Sequence, residues 1–217
     1  MRKLVRHPLE RHPSSVAVHQ PPGLTPSREA EQKELMSSAF ARRLMGAPTP
    51  AIALPSSSGT VDLRDLCAHR ASVFVYPATG VPGRDPSIDP APGWDDIPGA
   101  AGCTPQCLGF EKACSTFAEL GVRVAGLSSQ PLEEQQGFAA RHGLRYPLIC
   151  DAELRLAAAL SLPTFIAGDR TFYQRLVLYF VENRIVRVID ELPVPGDSAL
   201  LMIDLLHRGR SDEAPKL

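Results

Sequence analysis

The run SVFVYP at residues 72–77 is almost continuously apolar and bounded by proline, the pattern of a central strand covered on both faces. What lies on either side of it decides the architecture. Downstream, the spacing predicts a helix from about residue 104 to 120 and then the strand RVAGLS (residues 123–128). A second helix over 132–142, ended by Gly143, leads to a short strand within YPLIC (residues 146–150), and residues 152–160 read as a third helix. RLVLYFV and RIVRVID, joined at Glu182 and Asn183, form a β-hairpin, and residues 197–207 close with a helix. Upstream, AIALP (residues 51–55) and VDL (residues 61–63) read as short β elements. The order is β-α-β-α-β-α-β-β-α.

Strand-helix-strand units imply a mostly parallel sheet with helices on both faces, to which the final hairpin adds antiparallel strands at one side. The expected fold class is therefore α/β and thioredoxin-like, a central mixed β-sheet flanked by helices, over residues 49–210. Residues 1–48 differ in character. They carry a basic excess, three of the six histidines and the breaker run HQPPGLTPS, and are expected to be an N-terminal extension, partly disordered or with one short helix. Thr25 and Pro26 make a helix start, Leu35, Met36, Phe40 and Leu44 recur at helical spacing, and Gly46 supplies a stop. Residues 211–217 are a tail. The proline- and glycine-rich stretch from 79 to 102 is a long loop within the domain, and its Trp94 either walls a pocket or pins the loop down.

The chain has 217 residues, 44% hydrophobic and 22% charged, enough for one full core, and its formal net charge of -1 leaves no basic footprint for nucleic acid or an anionic membrane surface. No apolar run reaches the ~18 residues a bilayer span needs, and the basic start never settles into a signal core, so a cytoplasmic location is expected. Five cysteines, an odd number, argue for reduced thiols rather than a secreted disulfide framework. Their spacing, with three residues between Cys103 and Cys107 and six between Cys107 and Cys114, does not fit a zinc site.

GCTPQC (residues 102–107) puts Cys103 at a helix N-terminus, where unpaired amides and the macrodipole favour the thiolate, with a second sulfur four residues on. That layout favours redox chemistry. His69 and His142 sit in no motif that would bring them to Cys103 as a general base. Cys114 shares a helical face with Cys107, Phe110 and Phe117 and reads as core; Cys150 and Cys67 read as structural, with Cys67 in a connecting segment and open to oxidation.

In order along the chain, YPATG, GWDDIPGAAGCTPQ, GVRVAGLSSQ, YPLICDAELRLAAALSLPTF and YQRLVLYFVENRIVRVI resemble a peroxiredoxin of the alkyl hydroperoxide reductase and thiol-specific antioxidant family. The similarity spans roughly residues 45–207 and is greatest to the Q-type, bacterioferritin-comigratory group. It implies a thiol peroxidase that reduces hydrogen peroxide and organic hydroperoxides, with Cys103 as the attacking thiolate and Arg175 as the charge that holds it and polarises the peroxide. It also implies an intramolecular disulfide, with Cys107 as resolving partner, and a thioredoxin or similar dithiol protein as reductant. No metal or bound cofactor is required, and the chain is expected to be a monomer or homodimer.

Two departures from the family pattern matter. Asp96 and Ala100 stand where the family has a proline and a hydroxyl residue before the cysteine, and Thr79, at the end of the preceding strand, is the candidate to supply that hydroxyl by approaching Cys103. The Q-type resolver commonly lies five residues after the first cysteine, a position held here by Leu108. These departures motivate an alternative, a non-turnover redox sensor or binding protein on the same fold. A thioredoxin-like disulfide exchanger is disfavoured because no Cys-x-x-Cys pair is present.

Overall fold

The computed structural model describes residues 39–85, 87 and 89–212. Of the expected extension, the helix start at Thr25 and Pro26 with Leu35 and Met36 lies outside the described residues, as do residues 213–217 of the tail. Phe40 and Leu44 fall in a short helix, α1 (Ala39–Leu44), whose Ala41 and Leu44 are buried. It ends at Gly46, whose amide bonds to the carbonyl of Ile185 at 2.7 Å.

The strands are β1 (Ala53–Ser56), β2 (Gly59–Asp62), β3 (Arg70–Val75), β4 (Arg123–Ser128), β5 (Leu148–Cys150), β6 (Thr164–Ala167), β7 (Arg170–Tyr173), β8 (Leu176–Val181) and β9 (Arg184–Ile189). Seven form one sheet in the order β2-β1-β5-β4-β3-β8-β9, and β6 with β7 makes a separate hairpin. Parallel pairing is confined to β3 with β4 and β4 with β5; the other pairings are antiparallel. The sheet is thus mixed rather than mostly parallel, because only the two central crossovers carry a helix between neighbouring strands.

The remaining helices are α2 (Leu63–Cys67), α3 (Cys103–Glu119), α4 (Leu132–His142), α5 (Arg155–Leu160) and α6 (Ser198–Asp212). Alternation along the central strands sorts the core into two layers, since successive strand side chains point to opposite faces. Val73, Val75, Leu127 and Leu178 pack with Leu44, Leu66 and Leu156 on one face. Phe74, Tyr76, Val177 and Tyr179 pack with Phe110, Phe138 and Met202 on the other. Phe74 stacks on Phe110 with ring centroids 4.2 Å apart, which ties α3 to the centre of the sheet.

Two local readings change. VDL is not wholly strand: the Asp62 carboxylate accepts from the amides of Arg64 (2.8 Å) and Asp65 (3.2 Å), capping α2 so that Leu63 turns into the core. Cys67 is the last residue of that helix and is fully buried, so it is closed to oxidation rather than open to it. Among the described residues no helix is long and apolar enough to cross a membrane.

Candidate active site

The site forms where the end of β3 meets the start of α3. Past β3, the chain is held from the β4 side: the Ser128 hydroxyl donates to the Pro77 carbonyl at 2.7 Å. The Gln130 side chain accepts from the Thr79 amide at 2.7 Å and donates to the Thr79 carbonyl at 2.8 Å. This two-way bond imitates a strand pairing and holds the backbone next to Ala78, whose amide acts on the Cys103 thiol in the direction that favours the thiolate. Thr79 itself is buried, and its hydroxyl bonds to Gln130 at 3.2 Å. The structure thus brings the backbone beside Thr79, and not a Thr79 hydroxyl bond, to Cys103.

On the other side, Gly102 precedes α3 with φ of 94°, a left-handed conformation that glycine adopts without strain, and it contributes no capping side chain. The amides of the first turn are therefore left without a side-chain cap, and that of Cys103 acts to favour the thiolate. Pro105, in that same turn, has no N–H to leave unpaired.

Arg175 enters from the residue before β8 and is 7% exposed. One guanidinium nitrogen lies 3.2 Å from Cys103 Sγ and also donates to the carbonyls of Gly99 (3.3 Å), Ala100 (3.2 Å) and Ala101 (2.8 Å). Its other terminal nitrogen donates to Gln106 Oε1. The loop before α3 and the second turn of α3 thus position the cation jointly. Cys103 is 3% exposed and donates to the Ala100 carbonyl at 3.4 Å. Burial pushes its thiol above the ordinary range on balance; the charge and hydrogen bond of Arg175, then the amides of Ala78 and of Cys103 itself, offset part of that rise. The helix N-terminus alone, as read from the sequence, does not set this balance. Among the described residues, Arg175 Nε and Gln106 Nε2 are buried donors without a protein partner. Both belong to side chains that hold the cation beside the sulfur.

Cys107 lies one turn further on, fully buried, with its carbonyl accepting from the Tyr146 hydroxyl at 2.7 Å. Burial pushes its thiol well above the ordinary range. Residues four apart on a helix hold their Cβ atoms about 5–6 Å apart, whereas a disulfide requires about 3.5–4.5 Å. A bridge from Cys103 to Cys107 therefore requires the start of α3 to unwind. A single 3-10 turn, Pro195–Asp197, lies against that segment so closely that a Cβ on Gly109 would stand 2.3 Å from the Gly196 carbonyl oxygen.

Of the other sequence candidates, Cys114 is half-buried and packs against the core cluster that holds Cys107, Phe110 and Phe117, with Ala113 more deeply buried. Cys150 ends β5 and donates to the Gln130 carbonyl at 3.1 Å. His142 is exposed at the end of α4 with its ring 4.4 Å from that of Phe138, and His69 is exposed before β3. Trp94 packs on Phe172 (4.9 Å) and Phe165 (6.0 Å) of the β6–β7 hairpin, so it pins the long loop rather than walling the sulfur.

Sequence reasoning missed Gln106 and Gln130, both inside quoted motifs. Each acts by placing another group, and the only trace in the sequence is an amide side chain at a position that turns out to be fully enclosed. It also missed the β6–β7 hairpin, although Gly168 and Asp169 between apolar flanks are a hairpin signal.

Residues 98–189 match the model of the AhpC/TSA family. A Mycobacterium tuberculosis protein with a provisional peroxiredoxin name is 26% identical over 147 residues, which is 67% of this chain and 78% of that protein. Peroxiredoxin Bcp of Xanthomonas campestris is 24% identical, over 58% of this chain and 64% of its own length. Among solved structures, a peroxiredoxin Q of Xylella fastidiosa superposes with a TM-score of 0.61 at 18% identity, covering 76% of this chain and 96% of that one. The Mycobacterium tuberculosis peroxidoxin BcpB gives 0.60 at 21% identity, over 76% and 96%. The thioredoxin-like fold is shared throughout.

Proposed function

We propose that the chain is a peroxiredoxin of the AhpC/TSA family, whose model matches residues 98–189, and that it is a thiol peroxidase with Cys103 as nucleophile, Arg175 as electrostatic stabiliser and Cys107 as resolving thiol. The observation that supports this most is the guanidinium held 3.2 Å from Cys103 Sγ by three backbone carbonyls and Gln106. A cation fixed in that way favours the thiolate. It also stands ready for the negative charge that develops on the leaving oxygen, and its position is set before the reaction begins.

The Cys103 thiolate attacks the terminal oxygen of a hydroperoxide. An S–O bond forms, the O–O bond breaks, and the departing alkoxide or hydroxide takes a proton to leave as alcohol or water; the sulfur is now a sulfenic acid. After the first turn of α3 unwinds, the Cys107 thiolate displaces hydroxide from that sulfenic acid, giving a disulfide and, with a proton, water. A dithiol protein of the thioredoxin type then reduces the disulfide and becomes oxidised itself. Burial of Cys103 raises the cost of the anion, and the same low dielectric makes each donor around it count for more. In this proposal Thr79 contributes through Gln130, which sets the Ala78 amide. The protein acts as monomer or homodimer in a reducing compartment, the cytoplasm.

Peptide mass spectrometry after peroxide treatment of the parent and Cys107→Ser tests the assignment. A Cys103 to Cys107 bridge in the parent, replaced in the variant by sulfenic or overoxidised Cys103, is expected. Loss of the bridge without any oxidation at Cys103 overturns it. Consumption of many equivalents of peroxide with a dithiol supply, against one equivalent and a stall, separates the peroxidase from a sensor.

A further inference from the structure

Beside Arg175 the molecule has a cavity of about 750 Å³, within the range of small-molecule sites. It opens against that arginine and against Gly99 and Ala101, two of the residues whose carbonyls hold the guanidinium. Phe165 and Leu192 supply apolar wall. Asp95 and Asp96 from the turn before α3, and Asp190 and Glu191 from the segment after β9, also line it, and Arg175 is the one cationic side chain among its lining residues. That charge is already engaged: the guanidinium is more than nine-tenths buried and bonded to Cys103, to the carbonyls of Gly99, Ala100 and Ala101, and to Gln106. A distal carboxylate on a substrate would therefore meet the like charges of Asp95, Asp96 and Glu191, while the cavity's one cationic side chain is already engaged.

We propose that this cavity receives the organic group of a hydroperoxide and that its carboxylates set the charge class of the substrate: uncharged alkyl and aryl hydroperoxides are admitted, and hydroperoxides carrying a carboxylate are turned away. The inference rests on the peroxidase reading above. A handful of like charges within ~8–10 Å discriminates by on the order of tenfold at low ionic strength. The effect fades as salt shortens the Debye length to about 10 Å near 0.1 M.

The test compares cumene hydroperoxide with its para-carboxylate analogue as oxidants of Cys103 in single turnover, using the full chain, with hydrogen peroxide as small uncharged reference. The uncharged compound is expected to react on the order of tenfold faster at low salt. The ratio should shrink with added salt in the parent and approach one in the Asp95→Asn, Asp96→Asn, Glu191→Gln variant. Equal rates in the parent overturn the inference, as does a ratio that neither salt nor the variant moves. A variant altered only in its reduction by thioredoxin also overturns it, since the carboxylates would then serve the protein reductant. If hydrogen peroxide itself leaves Cys103 unoxidised, the peroxidase reading falls and takes this inference with it.

Discussion

Replacing Arg175 by methionine keeps much of the side-chain volume and removes the cation. Its hydrogen bond to Cys103 Sγ at 3.2 Å is of the charged kind, worth about 1.5–3 kcal/mol. At about 1.4 kcal/mol per pKa unit, its loss raises the Cys103 thiol by roughly one to two units, the direction in which burial already pushes it. Below that pKa, the thiolate population at a fixed pH falls about 10–100-fold. Losing the donor to the leaving oxygen costs a further factor of about 10². Because the two effects share one side chain they do not simply multiply, and a drop of roughly 10³ in the second-order rate with hydrogen peroxide is expected. Stability should fall as well, by about 1–3 kcal/mol, because water can replace the arginine at the exposed Gly99 and Ala101 but the buried Gln106 Oε1 and Ala100 carbonyl lose that donor. Trp94, the single tryptophan, packs with Ala100 and provides a stopped-flow fluorescence signal, while peptide-resolved alkylation against pH follows the Cys103 thiol. Arg175→Lys should fall between the two, because an ammonium keeps the charge but not the planar fork that spans sulfur, carbonyls and Gln106. A methionine variant that reacts within about threefold of the parent, with its alkylation midpoint unmoved, would refute the electrostatic account.

Burial pushes the Cys67 thiol from an ordinary 9.0 to about 12, so the unfolded chain loses that proton first and stability falls as pH rises between those values. Urea unfolding at pH about 8 and about 10.5 should show a decline of at most ~1.4 kcal/mol per pH unit from this group, absent in Cys67→Ala; identical slopes in the two proteins would contradict it. Gly109→Ala drives a Cβ to 2.3 Å from the Gly196 oxygen and should lift the Pro195–Asp197 turn, costing about 1–3 kcal/mol. Its Cys103 to Cys107 bridge should form faster in quench-flow mass spectrometry, and an unchanged rate would show that the turn does not restrain α3. Asp151→Ala removes bonds to the amides of Arg155 (2.9 Å) and Leu156 (2.8 Å) and to the Tyr173 hydroxyl (2.6 Å), so a loss of about 2–4 kcal/mol in thermal unfolding is expected, with Asp151→Asn milder. An alanine variant as stable as the parent would rule out that cap as a support of α5.

The succession of strands and helices from residue 72 onward was legible because it depends on short-range signals: apolar runs of strand length, helical spacing, and Gly143 closing α4. Cys103 was legible because a cysteine at a helix start is a local pattern, and Arg175 became so through ordered motifs on either side of it. The mixed pairing of the sheet was less so, since strand order depends on which edges meet and not on any one segment. The short elements also went astray, Leu63 because an aspartate cap redirects the chain and the β6–β7 hairpin because its strands are four residues each.

By itself the sequence determined which residue types could do the chemistry and the order in which the chain presents them, because periodicity, caps and turn residues act over a few positions. Tertiary structure alone decided how Cys103 is held: the Ala78 amide fixed through Gln130, the guanidinium of Arg175 shared among Gly99, Ala100, Ala101 and Gln106, and the burial that opposes both. Those partners lie up to 76 residues apart along the chain, and electrostatic balance depends on distance through space and on exclusion of water, neither of which is written in a local pattern.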